Sequence, residues 1–220
     1  MGSITRGLSN NITTGGVILP AGITNSSVSA VTSFANASGG TLTLLSTQTA
    51  SSSATISFTT GLDSTYDEYI FKFINVRPAT DDVNFTFNLS ADAGSNYNVT
   101  KTTTAFDAYH DESDASTLFR YVTALDLAQS TSFQPLNTVG IGNDADQNIS
   151  GILTLFNLSS TTYVKHFIAT TNLSQKDDAT VNSYVAGYGN TTSAVNAIRF
   201  QMSSGNIADG IFKLYGVKKS

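Results

Sequence analysis

The chain of 220 residues contains no cysteine and no tryptophan, three prolines and only two histidines. Without cysteine it can form neither a disulfide bond nor a zinc–thiolate centre, and it has no thiol nucleophile. Charged residues make up 12% of the sequence, which is about half the usual share in a globular protein. Because few side chains can exchange protons, this composition favours a structural or binding role over catalysis.

Positive charge is also scarce and scattered. The formal net charge is −5, and the 11 lysines and arginines form no basic run, which argues against a surface that binds nucleic acid. The first seven residues lack the apolar segment of a signal peptide, and no apolar run approaches the roughly 18 residues of a membrane helix. We therefore expect neither a nucleic-acid partner nor a membrane partner. We also expect the protein to be synthesised in a cytoplasm.

What the sequence has in quantity is serine, threonine and asparagine, which together form about a third of it. These residues alternate with apolar ones in several segments, a pattern typical of half-buried strands. Residues 83–89 are the clearest case, with Val83, Phe85, Phe87 and Leu89 on a predicted core face and three polar residues on a predicted wet face. Residues 68–76 are apolar at nearly every position, which predicts a central strand covered on both faces.

About nine to eleven such strands follow one another between residue 41 and the C-terminus, and no segment of ten residues shows a helical period. A short helical turn is allowed only near residues 124–129. We therefore predict an all-β fold, an antiparallel β-sandwich at residues 41–220, and favour a jelly roll among the sandwiches.

Residues 1–40 differ from the rest because they lack long strand patterning. Two interpretations are open: a disordered leader, or an extended N-terminal arm that lies on a neighbouring subunit. Two small apolar clusters favour the arm, since they would have little purpose in a tail that touched nothing. The candidate interface residues are Val17, Ile18, Leu19, Val28, Val31 and Phe34.

Residues 106–114 are predicted to form an acidic loop. Its side chains Asp111, Glu112 and Asp114 are weak candidates for binding a hard cation such as calcium. A solvated loop is the favoured interpretation, because the glycine and the terminal glutamate of an EF-hand are missing. No metal or other cofactor is therefore predicted.

Residues suited to catalysis are hard to find elsewhere. No carboxylate pair lies in an apolar stretch, and there is no Gly-x-Ser-x-Gly motif, so we predict that the protein is not an enzyme. His166 is predicted to be a hydrogen-bonded, partly buried strand residue that shares a face with Ile168. Tyrosines in or beside loops could stack on sugar rings, although packing at the rim is favoured; they are Tyr97, Tyr109, Tyr163, Tyr184 and Tyr188.

Several segments resemble a known group of proteins. Residues 63–71, 75–80, 90–97 and 213–217 are similar to parts of a small β-sandwich found in virion structural proteins of tailed phages that infect marine bacteria and cyanobacteria. The resemblance extends from about residue 40 to the end of the chain. It implies a structural role without catalytic residues, and it does not separate capsid decoration proteins from tail or fibre subunits.

The expectation from composition and resemblance together is a non-enzymatic virion protein. The favoured form is a homotrimeric decoration or cement protein, bound to the major capsid protein on the outer capsid surface. The alternative is a tail-fibre or receptor-binding subunit, attached to tail proteins by its N-terminal segment and able to bind a host surface glycan.

Overall fold

The computed structural model describes residues 12–13, 16–17 and 42–218. The chain divides into two units after Gly39. In the first unit, Ile12–Thr13 (β1) pairs antiparallel with Gly16–Val17 (β2), and Ile12 lies opposite Val17. The other candidate interface residues lie outside the described residues; they are Ile18, Leu19, Val28, Val31 and Phe34. The N-terminal arm therefore stays a prediction.

The described part of the second unit contains strands and one short 3-10 turn, Thr123–Leu125, which overlaps the start of the segment where the sequence allows a helical turn. None of the described residues belongs to a helix that could cross a membrane. The strands are β3 Leu42–Ser53, β4 Ile56–Phe58, β5 Glu68–Pro78, β6 Phe85–Ser90, β7 Lys101–Asp111, β8 Thr117–Tyr121, β9 Gln134–Pro135, β10 Ile149–Phe156, β11 Lys165–Gln175, β12 Ala179–Gly189, β13 Ala197–Met202 and β14 Ile207–Val217.

These strands form two antiparallel sheets packed as a sandwich. The large sheet has the order β3-β14-β5-β10-β11-β12-β7-β8, and the small sheet has the order β4-β13-β6-β9. The core of the sandwich has eight strands, which we number first to eighth in chain order: β3, β4, β5, β6, β9, β10, β13 and β14. The large sheet joins the first, eighth, third and sixth, and the small sheet joins the second, seventh, fourth and fifth. This is the pairing of a jelly roll, which confirms the predicted fold class.

The remaining four strands form two hairpins that widen the large sheet. The hairpin β7–β8 is inserted between the fourth and fifth core strands, and β11–β12 between the sixth and seventh. They lie side by side because β12 pairs with β7 along the whole length of both strands. We call β11, β12, β7 and β8 the sheet extension. It leaves the connectivity of the eight core strands unchanged and extends the large sheet beyond β10 by four strands.

Phenylalanine rings join the two sheets of the core. Phe200 of β13 lies at the centre, and its ring centroid is 5.1 to 6.4 Å from those of five other rings. Phe58 and Phe85 come from the small sheet, whereas the other three come from β5 and β14 of the large sheet. All six are buried. Burial of these rings contributes to the stability of the sandwich.

Two predictions about strand faces are corrected by the structure. The predicted wet face of β6 is buried, because Asn88 is covered by other chain segments and donates hydrogen bonds to the carbonyl oxygens of Tyr97 and Thr131. β5 is central, as predicted, but only one of its faces is covered, since Ile70 and Ile74 on the other face are partly exposed.

Candidate binding surface

The outer surface of the sheet extension carries a group of apolar side chains that no other segment of residues 42–218 covers. Period-two alternation along each strand points Phe106, Ile168 and Tyr184 away from the core, while their strand neighbours Ala105, Ala169 and Val185 are buried. Strand register then places Tyr184 opposite Phe106, and Phe106 opposite Tyr121 of the edge strand β8. Together with Phe119, these side chains form what we call the aromatic face: Phe106, Phe119, Tyr121, Ile168 and Tyr184.

Ring contacts hold the aromatic face together. The rings of Phe106 and Tyr184 are nearly parallel, with centroids 4.8 Å apart and planes 9° apart. The Phe119 ring lies 5.6 Å from that of Phe106. Cross-strand aromatic pairs of this kind stabilise a sheet. They also restrict the rings before any partner binds.

The aromatic face is largely in contact with solvent. Phe119 is 73% exposed, Tyr121 56% and Ile168 54%. A shallow depression of about 140 Å³ lies between Phe106, Ile168 and Tyr184, and its lining is almost entirely apolar. Single exposed apolar residues are common on proteins, whereas contiguous exposed apolar groups are a feature of many interaction surfaces.

A second depression continues along the same face toward the other end of these strands. We call it the polar pocket, lined by His110, Glu112, Asn172, Thr180 and Asn182. Two adjoining parts have volumes of about 280 and 380 Å³.

Hydrogen bonds orient the amide groups of the polar pocket. The Asn172 amide donates to the Thr180 hydroxyl at 2.9 Å, and the Asn182 amide donates to the Tyr184 hydroxyl at 2.7 Å. The second bond connects the polar pocket to the aromatic face, so the two form one continuous surface.

Two of the acidic candidates, Asp111 and Glu112, line this pocket, but the Asp111 carboxylate is used by a turn. Asp111 accepts the backbone N–H groups of Ala115 and Ser116 at 2.8 and 3.1 Å. The hydrogen bond from Ser116 is the largest cause that lowers the pKa of the Asp111 carboxyl below 3.8. These bonds stabilise the turn between β7 and β8.

Asp114 and Glu112 do not join Asp111 around a common point. The Asp114 carboxylate is 3.1 Å from His110 Nε2, and Glu112 lines the polar pocket. Across residues 42–218, no three acidic or histidine side chains form a group that could hold a metal ion. The candidates therefore lie near one another in the chain without forming a ligand set.

The segment predicted as an acidic loop is mostly strand. β7 continues to Asp111 and points Asp107 inward, where its side chain is completely buried. Arg120 of β8 donates hydrogen bonds to both carboxylate oxygens of Asp107, at 3.0 to 3.2 Å. The alternation of Ala105, Asp107 and Tyr109 with outward residues could have revealed this strand, but the number of charged residues suggested a loop.

His166 also differs from its prediction. It shares a face with Ile168, as predicted, but it is exposed, and its ring lies 6.0 Å from that of Tyr188. Of the tyrosines considered for stacking, Tyr184 belongs to the aromatic face. Tyr163, which is 67% exposed, precedes β11 outside that face.

Two buried lysines have no counterpart in the sequence-based predictions. Lys101 and Lys165 are fully buried, and burial lowers the pKa of each below its usual 10.5, to about 7 for Lys101. Lys165 Nζ donates to the carbonyl oxygens of Tyr163 and Thr191 at 2.7 and 3.1 Å. Each lysine begins a strand of the sheet extension, and only the inward alternation of that strand could have indicated its burial.

Comparison of the chain with protein-family models, curated proteins and solved structures finds no match. Its function must therefore be inferred from the side chains described above.

Proposed function

We propose that this chain is a non-enzymatic structural protein of a phage virion. In this proposal it acts as a homotrimeric decoration or cement protein on the outer capsid and binds the major capsid protein. Jelly rolls are common in viral capsid and lectin domains. Because one fold supports many functions, the fold alone supports the proposal only by analogy.

The observation that carries the proposal is the aromatic face. Interfaces between proteins are enriched in aromatic residues and depleted in charged ones at their centres, and the aromatic face has this composition. Its side chains stand on paired strands, so they lose little conformational freedom when a partner binds. A surface of this kind is suited to permanent contact with another subunit.

The low charge of the chain is consistent with this role. Contacts between apolar and hydroxyl-bearing side chains depend little on ionic strength, whereas exposed ion pairs are screened by salt. Because a decoration protein is present in many copies, even modest contacts at each copy combine to hold the layer in place.

A second candidate function is favoured by the polar pocket. Amide and hydroxyl groups beside aromatic rings provide oriented hydrogen bonds and a stacking surface, which is the combination needed to bind a sugar. A tail-fibre or receptor-binding subunit that recognises a host surface glycan would use the pocket in this way.

Immunogold labelling of purified virions with an antibody to this protein tests the proposal. Gold distributed over the head supports a decoration protein, whereas gold confined to the tail or its fibres supports the second candidate. Virions that carry no gold, together with a detergent-disrupted sample free of the protein, would contradict both. Sedimentation equilibrium of the purified chain tests the trimer separately, and a monomer at all concentrations would contradict it.

A further inference from the structure

Lys101 and Asn88 meet inside the molecule, away from the aromatic face. Lys101 is the first residue of β7, and Asn88 lies in β6 of the small sheet. Both side chains are completely buried. The Lys101 amine nitrogen Nζ lies 2.5 Å from Asn88 Oδ1 and 2.9 Å from the carbonyl oxygen of Val99. The amine is therefore held directly beside the carboxamide group.

The Asn88 carboxamide is fixed by every hydrogen bond it can form there. Its oxygen accepts the backbone N–H of Leu89 at 2.8 Å in addition to the lysine. Its nitrogen donates to the carbonyl oxygens of Tyr97 and Thr131 at 2.7 and 2.8 Å. A backbone N–H directed at a carbonyl oxygen stabilises the negative charge that develops there when the carbon is attacked.

The Lys101 amine has the properties of a nucleophile. Among residues 42–218 no carboxylate forms an ion pair with it, and it donates hydrogen bonds to two neutral oxygens. Burial without a negative partner disfavours the ammonium form and lowers the pKa of Lys101 to about 7. A large fraction of the amine is then neutral at neutral pH, and a neutral amine can attack a carbonyl carbon.

We propose that Lys101 and Asn88 react to form an intramolecular isopeptide bond. The lone pair of Lys101 Nζ attacks Asn88 Cγ, and the bond between Cγ and Nδ2 breaks. One proton passes from Nζ to the departing nitrogen, which leaves as ammonia. The product is a secondary amide between the two side chains, and the reaction needs no oxidant, reductant or other co-reactant. It joins β6 to β7 across the loop that connects them.

The intact mass of the purified full-length protein tests this proposal. The expected mass is lower than that of the sequence by one ammonia molecule, either at purification or after prolonged incubation at pH 8. Digestion of the denatured protein should then give a branched peptide that contains both Asn88 and Lys101, since trypsin does not cleave after an acylated lysine. Full mass after incubation, with separate peptides for the two residues, would overturn the proposal.

Lys165 provides a matched control. It is also fully buried and also donates to backbone carbonyl oxygens, but no hydrogen bond joins its amine to a side-chain amide. The variant Lys165→Met should keep the ammonia loss, and Lys101→Met should abolish it. If Lys101→Met does not fold, the branched peptide of the unaltered protein decides the question.

A succinimide at Asn88 would lose the same ammonia and must be distinguished. It forms within the backbone, so it would persist in Lys101→Met and would not connect two peptides. Ammonia loss that persists in Lys101→Met, or that occurs without a branched peptide, would overturn the isopeptide assignment.

Discussion

Replacement of Phe119 by threonine separates the function of the aromatic face from its contribution to folding. The side chain is 73% exposed and contacts the ring of Phe106 at 5.6 Å. Threonine suits an edge strand, so the stability cost is mainly the lost ring contact, about 1 kcal/mol. If Phe119 anchors an interface, its removal should weaken binding by about 2 kcal/mol, which corresponds to roughly a thirtyfold increase in Kd.

The assay is cosedimentation of purified protein, at increasing concentrations, with capsids assembled without it. Tyr163→Thr is the matched control, because Tyr163 is 67% exposed but lies outside the aromatic face. We expect Phe119→Thr to bind about thirtyfold more weakly and Tyr163→Thr to bind like the unaltered protein. Equal binding by all three proteins, or equal weakening by both substitutions, would refute a role for the aromatic face in attachment.

Three further predictions concern stability. Phe200→Ala should lower the free energy of unfolding by about 3–5 kcal/mol, because Phe200 touches five rings of the core. Urea unfolding followed by tyrosine fluorescence measures this free energy. A loss below about 1 kcal/mol would contradict the central position of Phe200. Burial lowers the pKa of Lys165 below 10.5. Just below pH 10.5 the unfolded chain therefore binds a proton that the folded chain does not, and the free energy of unfolding should rise with pH in this range. The same unfolding curves should show a smaller rise for Lys165→Met, and an unchanged rise would argue against a buried amine. Hydrogen bonds from Ser90 and then Asn96 lower the pKa of Asp92 from 3.8 to about 2. The ionised Asp92 carboxylate should therefore stabilise the fold above pH 3.8, and this stabilisation should be lost as the pH falls through 2. Thermal unfolding between these pH values should depend less on pH in Asp92→Asn, and identical profiles for the two proteins would count against the hydrogen bonds.

Much of the core fold follows from alternation in the sequence. Phe85 and Phe87 are buried on the predicted face, β5 is central, and the strand series is that of a jelly roll. The period-two pattern predicts the buried face of β6, because the face of a strand that packs against another sheet is apolar. The central place of β5 is predicted instead by its nearly continuous apolar sequence.

The surfaces were harder to predict, since alternation shows the face of a side chain and not its neighbours. Phe106, Phe119 and Tyr184 are distant in the chain, and only the pairing of β8, β7 and β12 brings them together. Alternation predicts that Asn88 faces water, but covering segments bury it beside Lys101. Burial of this kind depends on the path of loops, for which the local sequence has no periodic signal.

The position of β14 has a consequence for how the protein is synthesised. Among the described residues this strand is the last, yet it lies between β3 and β5 and is the only described partner of β3 in the sheet. At roughly 10 residues per second, a ribosome needs on the order of 15 s to proceed from β3 to the end of β14. Throughout that time β3 has no strand partner among the described residues, so this edge of the large sheet can form only after β14 has been synthesised.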